Sequence, residues 1–208
     1  MRAVPGARAG VLSGGGPGRG GERAASGRDP GGTVAVRALI LGGARSGKSA
    51  FAERLAATTS GGKKVLYVAT ALAARDRDLE QRVRLHRERR PAGWGTLELG
   101  GGELAAILKV APFWEAVLVD SLTLWVSARM LDGEDDEWTL EAFDGFLEEA
   151  AALATPVILV SDEVGLGVVP ESEPGRRFRD TLGLVNQRAA AAAEEVHMCL
   201  AGIGVRIK

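Results

Sequence analysis

The stretch Leu39-Ile40-Leu41-Gly42-Gly43-Ala44-Arg45-Ser46-Gly47-Lys48-Ser49 decides how the rest of the chain is read. It spells G-x-x-x-x-G-K-S, a complete phosphate-binding loop, set between the apolar run Ala38–Leu41 and a helix-like run, Ala50–Ala57. That strand–loop–helix setting is what the motif requires, and it separates this stretch from a chance glycine turn. Glycines at both ends of the loop permit a backbone path and a closeness of approach that side chains would block. The loop N–H groups and the N-terminus of the following helix then face an anion. In that arrangement Lys48 reaches the β- and γ-phosphates, and the Ser49 hydroxyl ligates Mg²⁺. The expectation is a nucleoside triphosphate site.

Composition narrows what surrounds this loop. The 208 residues are 46% hydrophobic, enough for a single domain with a real core. A formal net charge of −1 offers no electrostatic case for a nucleic-acid or membrane partner. The lone cysteine, Cys199, excludes an intrachain disulfide framework and fits a reducing, cytoplasmic compartment. No apolar run approaches the roughly 18 residues a membrane span needs. Residues 1–34 are rich in Gly, Arg, Ala and Pro and lack a signal peptide's apolar centre. They read as a disordered N-terminal extension, natural or added by an upstream start codon, ahead of a domain over residues 35–208.

From Val36 onward, short apolar runs alternate with helical patterns. Strands are expected at Arg37–Leu41, Lys64–Ala69, Gly95–Leu99, Ala116–Asp120 and Val157–Ser161, with closing strands at Val196–Ala201 and Val205–Lys208 around Gly202-Ile203-Gly204. Helices are expected at Ser49–Ala57, Arg75–Arg90, Glu103–Val110, Leu122–Leu131, Thr139–Ala154 and Arg176–Glu195. Uniformly apolar strands alternating with helices predict an α/β fold, its mostly parallel central sheet covered by helices on both faces.

Several residues then stand out as chemistry. Val117-Leu118-Val119-Asp120 has the form of a Walker-B strand, which ends in a carboxylate near Mg²⁺; the alternative is a helix cap for Leu122 onward. In the basic segment, Arg82, His86 and Arg90 are four apart and form one helical stripe bordered by Leu79 and Val83. Neighbouring arginines disfavour imidazolium, keep the ring nucleophilic, and can stabilise charge on a transferring phosphate. A solvated basic helix with a core histidine is the other reading, and composition leaves both open. Ser161–Pro170 follows a strand at the edge where open α/β sheets hold ligands, or is a glycine-rich connection. Arg176–Asp180, leading into Gly183–Arg188, reads equally as a charged helix start. His197 alternates with apolar neighbours and reads as structural. Glu134–Glu137 reads as solvated loop.

Together these pieces resemble the bifunctional adenosylcobinamide kinase/adenosylcobinamide-phosphate guanylyltransferase family of cobalamin biosynthesis. The resemblance spans Val36 to Lys208. It rests on Gly42–Ser49, Tyr67–Thr70, the R-V-x-x-H-R-x-x-R-P segment with Trp94 and Glu98, Val119–Ser127, Glu163–Pro170, Arg177–Gln187 and the terminal AGIGVRIK. It implies a RecA-like P-loop NTPase with a closing C-terminal hairpin. The implied activities are phosphorylation of the aminopropanol hydroxyl of adenosylcobinamide with ATP or GTP, then transfer of GMP from GTP to that phosphate. The resemblance further implies that transfer passes through a guanylylated histidine, His86, and that Lys48 serves the kinase step. Nucleotide contacts are implied at Gly42–Ser49, at Ala69, Thr70 and Ala71, at Arg87, Glu88, Arg89 and Arg90, and at Glu98 and Asp120. Metal contacts are implied at Ser49 and Asp120, and the assembly implied is a homotrimer with shared sites. One position departs from the pattern: Asp162 stands where the family usually carries Asn. A P-loop small-molecule kinase without a covalent step is the nearest rival. A RecA-like DNA-dependent ATPase is the rival from another class, and would show a basic or aromatic strand-binding loop.

Overall fold

The apolar runs become the strands of one sheet. The computed structural model describes residues 36–70, 91 and 93–208, all within the unit Thr33–Lys208. Its elements run β1 (Val36–Gly42), α1 (Lys48–Thr59), β2 (Val65–Ala69), β3 (Gly95–Glu98), α2 (Ala105–Val110), a 3₁₀ turn (Ala111–Phe113) and β4 (Ala116–Asp120). There follow α3 (Leu122–Leu131), α4 (Asp136–Ala150), β5 (Val157–Asp162), α5 (Glu173–Ala192), β6 (Glu195–Leu200) and β7 (Ile203–Arg206). The expectations for residues 1–34 and for a helix over Arg75–Arg90 lie outside the described residues.

Strand order is β3-β2-β4-β5-β1-β6-β7. The pairings from β3 through to β6 are parallel, and β7 returns antiparallel on β6. This is the mostly parallel sheet, closed by a C-terminal hairpin, that the sequence leads one to expect. Among the described residues, no helix is long and apolar enough to cross a membrane.

The central strands are buried on both faces, which explains why they read as continuous apolar runs. Alternate residues serve opposite sides. Ala38, Ile40, Leu118, Ile158 and Val160 pack with Ala52 and Ala56 of α1. Leu39, Leu41, Val117, Val119 and Leu159 pack with Trp125 of α3, Phe143 and Phe146 of α4, and Leu182 and Val185 of α5. The two alanines on α1 keep that helix close to the sheet. On the other face, Trp125 and Phe143 lie 5.9 Å apart and Phe143 and Phe146 lie 6.1 Å apart, within aromatic contact. Burial of each phenylalanine contributes about 2–3 kcal/mol.

Several boundaries differ from the sequence expectation, and caps explain most of them. α4 begins at Asp136 because the Asp135 side chain accepts the Trp138 N–H at 2.8 Å, with Asp136 and Glu137 in the first turn suiting the helix dipole. The acidic run is therefore a helix start and not solvated loop. Arg177 also fastens it, donating to Asp136 Oδ1 and to the Glu134 carbonyl, each at 2.7 Å. α4 stops at Ala150, short of Ala154, ahead of Thr155-Pro156. α5 begins at Glu173, where Ser172 accepts the Gly175 N–H at 3.3 Å and Pro174 fills the first turn. It ends at Ala192, and Glu195 belongs to β6. The closing turn sits at Ala201-Gly202, one to two residues earlier than expected, because both carry positive φ (49° and 86°), as a two-residue hairpin of the primed type requires.

Candidate active site

Parallel register brings the chemistry to one edge. Gly42 lies opposite Asp162 on β5 and Cys199 on β6, and Asp120 lies opposite Ala69, which in turn faces Glu98. Gly42, Asp162, Asp120, Ala69 and Glu98 thus form a row at the C-terminal edge of neighbouring strands, where α/β sheets hold ligands. β5 lies between β1 and β4, so the phosphate loop and Asp120 stand two strand spacings apart, about 10 Å.

The loop itself is tight. Ser46 N–H donates to the Gly43 carbonyl at 3.2 Å, and the first helical bond runs from Phe51 N–H to the Gly47 carbonyl at 2.9 Å. Gly47 is the N-cap of α1 in the left-handed region (φ 88°), and no side chain caps the helix there. Its first N–H groups are left for an anion. A Cβ on Gly42 would come within 2.4 Å of Ser46 Oγ and 2.8 Å of the Cys199 carbonyl, so only glycine fits where β1 enters the loop. The hairpin supports the loop from behind: Gly202 N–H donates to the Ser46 carbonyl at 2.8 Å.

Lys48 folds back over this loop. Its Nζ donates to the Gly43 carbonyl at 3.2 Å and pairs with Asp162 Oδ1 at 2.5 Å. Asp162 is held in turn, its N–H bonded to Thr123 Oγ1 at 2.8 Å and its carbonyl to Asn186 Nδ2 at 3.0 Å. Asp162 is therefore the anionic partner of the P-loop lysine.

Asp120 is not the cap of α3. That place belongs to Ser121, whose Oγ accepts the Leu124 N–H at 3.4 Å. Asp120 instead accepts a 2.7 Å hydrogen bond from the Tyr67 hydroxyl at Oδ2. Thr70, fully buried, locks the same corner: its hydroxyl donates to the Ser121 carbonyl at 2.6 Å and accepts the Ser121 N–H at 2.8 Å. Ala69 continues the row, accepting the Leu99 N–H at 2.8 Å. The structure thus brings together Gly42–Ser49, Ala69, Thr70, Glu98 and Asp120. His86, Arg87, Glu88, Arg89, Arg90 and Ala71 lie outside the described residues, as does Arg82.

His197 is structural, as its alternation suggested. It is buried on β6, its Nε2 3.0 Å from Glu195 Oε2 and its ring 5.1 Å from Phe51. The His197 hydrogen bond, with Arg37 and Arg206 nearby, holds the Glu195 carboxyl below the usual carboxylate range against the opposing effect of burial. Sequence reading assigned no role to Tyr67, Thr123 or Asn186, and gave Gly202 only a place in the closing turn. Their contacts cross the fold, and the only local signal was membership in motif-like stretches.

Ser49 and Asp120 suit Mg²⁺ on donor chemistry. The Ser49 hydroxyl makes no hydrogen bond to a described residue, and Tyr67 engages only one Asp120 oxygen. Among the described residues, no group of three or more His, Cys, Asp or Glu gathers as a metal cage. One or two hard oxygen donors without a cage is how proteins hold Mg²⁺ with waters and substrate phosphates.

The family model described as cobinamide kinase / cobinamide phosphate guanyltransferase matches residues 38–207. The bifunctional adenosylcobalamin biosynthesis protein CobP of Pseudomonas aeruginosa is 44% identical over 174 residues, 83% of this chain and 98% of that protein. The proteins named CobU in Salmonella typhimurium and Escherichia coli are 39% and 41% identical, each match covering 82% of this chain and 98% of the relative. Among solved structures, a KaiC-like protein from Pyrococcus horikoshii aligns with a TM-score of 0.48 at 17% identity, over 79% of this chain and 70% of that one. The flagellar accessory protein FlaH from Methanocaldococcus jannaschii aligns with a TM-score of 0.47 at 16% identity, over 80% and 71%. On its sequence match across nearly the whole described domain, the chain belongs to the cobinamide kinase / cobinamide phosphate guanyltransferase family.

Proposed function

We infer that this chain catalyses both reactions of its family. It phosphorylates adenosylcobinamide with ATP or GTP, then transfers GMP from GTP to adenosylcobinamide phosphate, giving adenosylcobinamide-GDP. The observation that carries this is the family match over residues 38–207, which spans both the P-loop and the His86 segment.

In the kinase step the aminopropanol hydroxyl attacks the γ-phosphorus in line, and the nucleoside diphosphate leaves. The loop N–H groups and the open end of α1 hold the phosphates, and Lys48 places its charge on the β- and γ-oxygens. Ser49 and Asp120 would hold Mg²⁺, which supplies further neutralisation of phosphate charge. In the second step an imidazole nitrogen of His86 attacks the α-phosphorus of GTP and pyrophosphate leaves. A phosphate oxygen of adenosylcobinamide phosphate then displaces the histidine from the phosphoramidate, splitting one transfer into two. Arg82, Arg87, Arg89 and Arg90 are the cations available to stabilise charge on the transferring group. By the family resemblance the enzyme works as a homotrimer with shared sites.

Incubation with α-labelled or γ-labelled GTP, followed by denaturing electrophoresis, tests the covalent step. Protein should retain the α-label and not the γ-label, and the adduct should be lost in acid and survive alkali. His86→Ala should abolish the adduct while retaining adenosylcobinamide phosphorylation at least in part. An α-labelled adduct on that variant would place the nucleophile elsewhere, and no adduct on wild type would leave a simple P-loop kinase.

A further inference from the structure

A groove of about 460 Å³ opens between the loop after β5 and α5, and no residue of the phosphate loop lines it. It is lined by Gly165 from the loop after β5 and by Arg179, Asp180, Gly183, Leu184 and Gln187 of α5. Asp180, Gly183, Leu184 and Gln187 are spaced i, i+3, i+4, i+7 and form one stripe along the helix. The opposite face of α5, with Leu182, Val185 and Ala189, is buried.

We propose that this groove receives the edge of the corrin ring of the acceptor substrate. The proposal rests on the kinase reading above and adds where its second substrate binds. Position is the first argument. Gly165 is three residues beyond Asp162, whose carboxylate touches Lys48 Nζ, and three residues span at most about 11 Å. An acceptor seated in the groove therefore lies within reach of the γ-phosphate through a side arm carrying the hydroxyl.

Chemistry is the second argument. Arg179 and Asp180 bond each other at 3.2 Å, so the lining carries no net charge. It nonetheless offers donors from Arg179, an acceptor from Asp180 and both from Gln187. A polyphosphate would call for a net positive lining. A corrin ring has apolar faces and a rim of carboxamides, each both donor and acceptor, and such a neutral mixed lining matches its edge. The loop adjoining Gly165 supplies the apolar surface: Leu166 is 80% exposed, Val168 95% and Val169 61%. Three large apolar residues left in water on one loop mark a binding surface.

Gly183 provides the test, because a Cβ built there meets nothing within 4 Å. A larger side chain at this position therefore starts into open space on the groove-lining stripe, and helix propensity favours replacement of glycine by alanine or phenylalanine. Full-length enzyme is assayed for GTP-dependent phosphorylation of adenosylcobinamide, with GTP affinity measured separately by calorimetry without corrinoid. In Gly183→Phe, KM for adenosylcobinamide should rise tenfold or more, while GTP affinity stays within twofold. Gly183→Ala should leave both within about threefold. An unchanged KM in Gly183→Phe overturns the assignment. So does a change in oligomeric mass by light scattering that accounts for the lost activity, since the groove would then be a contact between copies. If wild type neither binds nor phosphorylates adenosylcobinamide, the kinase reading falls and the groove's occupant with it.

Discussion

Replacing Asp162 by asparagine should tighten GTP binding. In the free protein Lys48 Nζ is 2.5 Å from Asp162 Oδ1, and the two side chains are only 13% and 23% exposed. A charge-assisted hydrogen bond of this kind contributes about 1.5–3 kcal/mol, and residual solvent contact places it at the lower end. To hold a triphosphate, Lys48 must give up part of that pairing, and the carboxylate also repels the incoming phosphates. Asp162→Asn keeps shape and a hydrogen-bonding oxygen while removing the charge, so about 1–1.5 kcal/mol should pass to GTP affinity, roughly five- to tenfold. The assay is calorimetric titration with GTP in the presence of a chelator, because a divalent cation would otherwise screen the carboxylate. The gain should shrink as ionic strength rises. Unchanged or weaker GTP affinity in the variant would mean that Asp162 assists the lysine instead of competing for it.

Lys48→Ala should weaken GTP binding by roughly 30- to 150-fold, from the loss of about 2–3 kcal/mol of charge-assisted contact, with the far-ultraviolet circular dichroism unchanged. Calorimetry on the folded variant checks this, and wild-type affinity would refute the P-loop role. Gly204→Ala should lower stability by about 1–3 kcal/mol, because its Cβ would sit 2.4 Å from a Phe51 ring carbon. Its GTP affinity should fall too, since the same hairpin supports the loop at Ser46, and denaturant melts with parallel titrations read both. Glu195 should make stability acid-sensitive. Its folded pKa is lowered from 4.5, chiefly by the His197 hydrogen bond, so the folded state binds fewer protons than the unfolded one in this range. The associated stability, about 1–2 kcal/mol, is full above the unfolded pKa and is lost as pH falls through the lowered folded one. Glu195→Gln should therefore be less stable than wild type at neutral pH and converge with it as pH falls through the lowered folded pKa; a gap independent of pH in urea midpoints counts against this.

The phosphate loop, the apolar strands and the helix–strand alternation were legible in the sequence because each is a short-range pattern. Ala116–Asp120 and Leu122–Leu131 form where periodicity placed them, since apolar runs and helical spacing are properties of neighbouring residues. Boundaries went astray where a capping side chain or a proline settled the matter, as at Asp135 and at Ser172-Glu173-Pro174. The turn moved from Gly202-Ile203-Gly204 to Ala201-Gly202 because the alanine adopts positive φ, which composition does not announce. Asp120 had two open readings, and the cap at Ser121, with a contact from Tyr67 53 positions away, removed the helix-cap one.

By itself the sequence determined that this chain binds a nucleoside triphosphate, that it is an α/β protein, and through its ordered motifs which family it joins. Only the tertiary structure decided what faces what at the sheet edge. β5 inserts between β1 and β4, and that order follows from how helices pack back onto a twisted sheet, to which no local stretch testifies. The insertion sets Asp162 against Lys48 and lays the neighbouring loop beside the α5 groove. Such pairings are made by side chains distant in sequence, whose mutual electrostatics exist only once burial and strand order have brought them together.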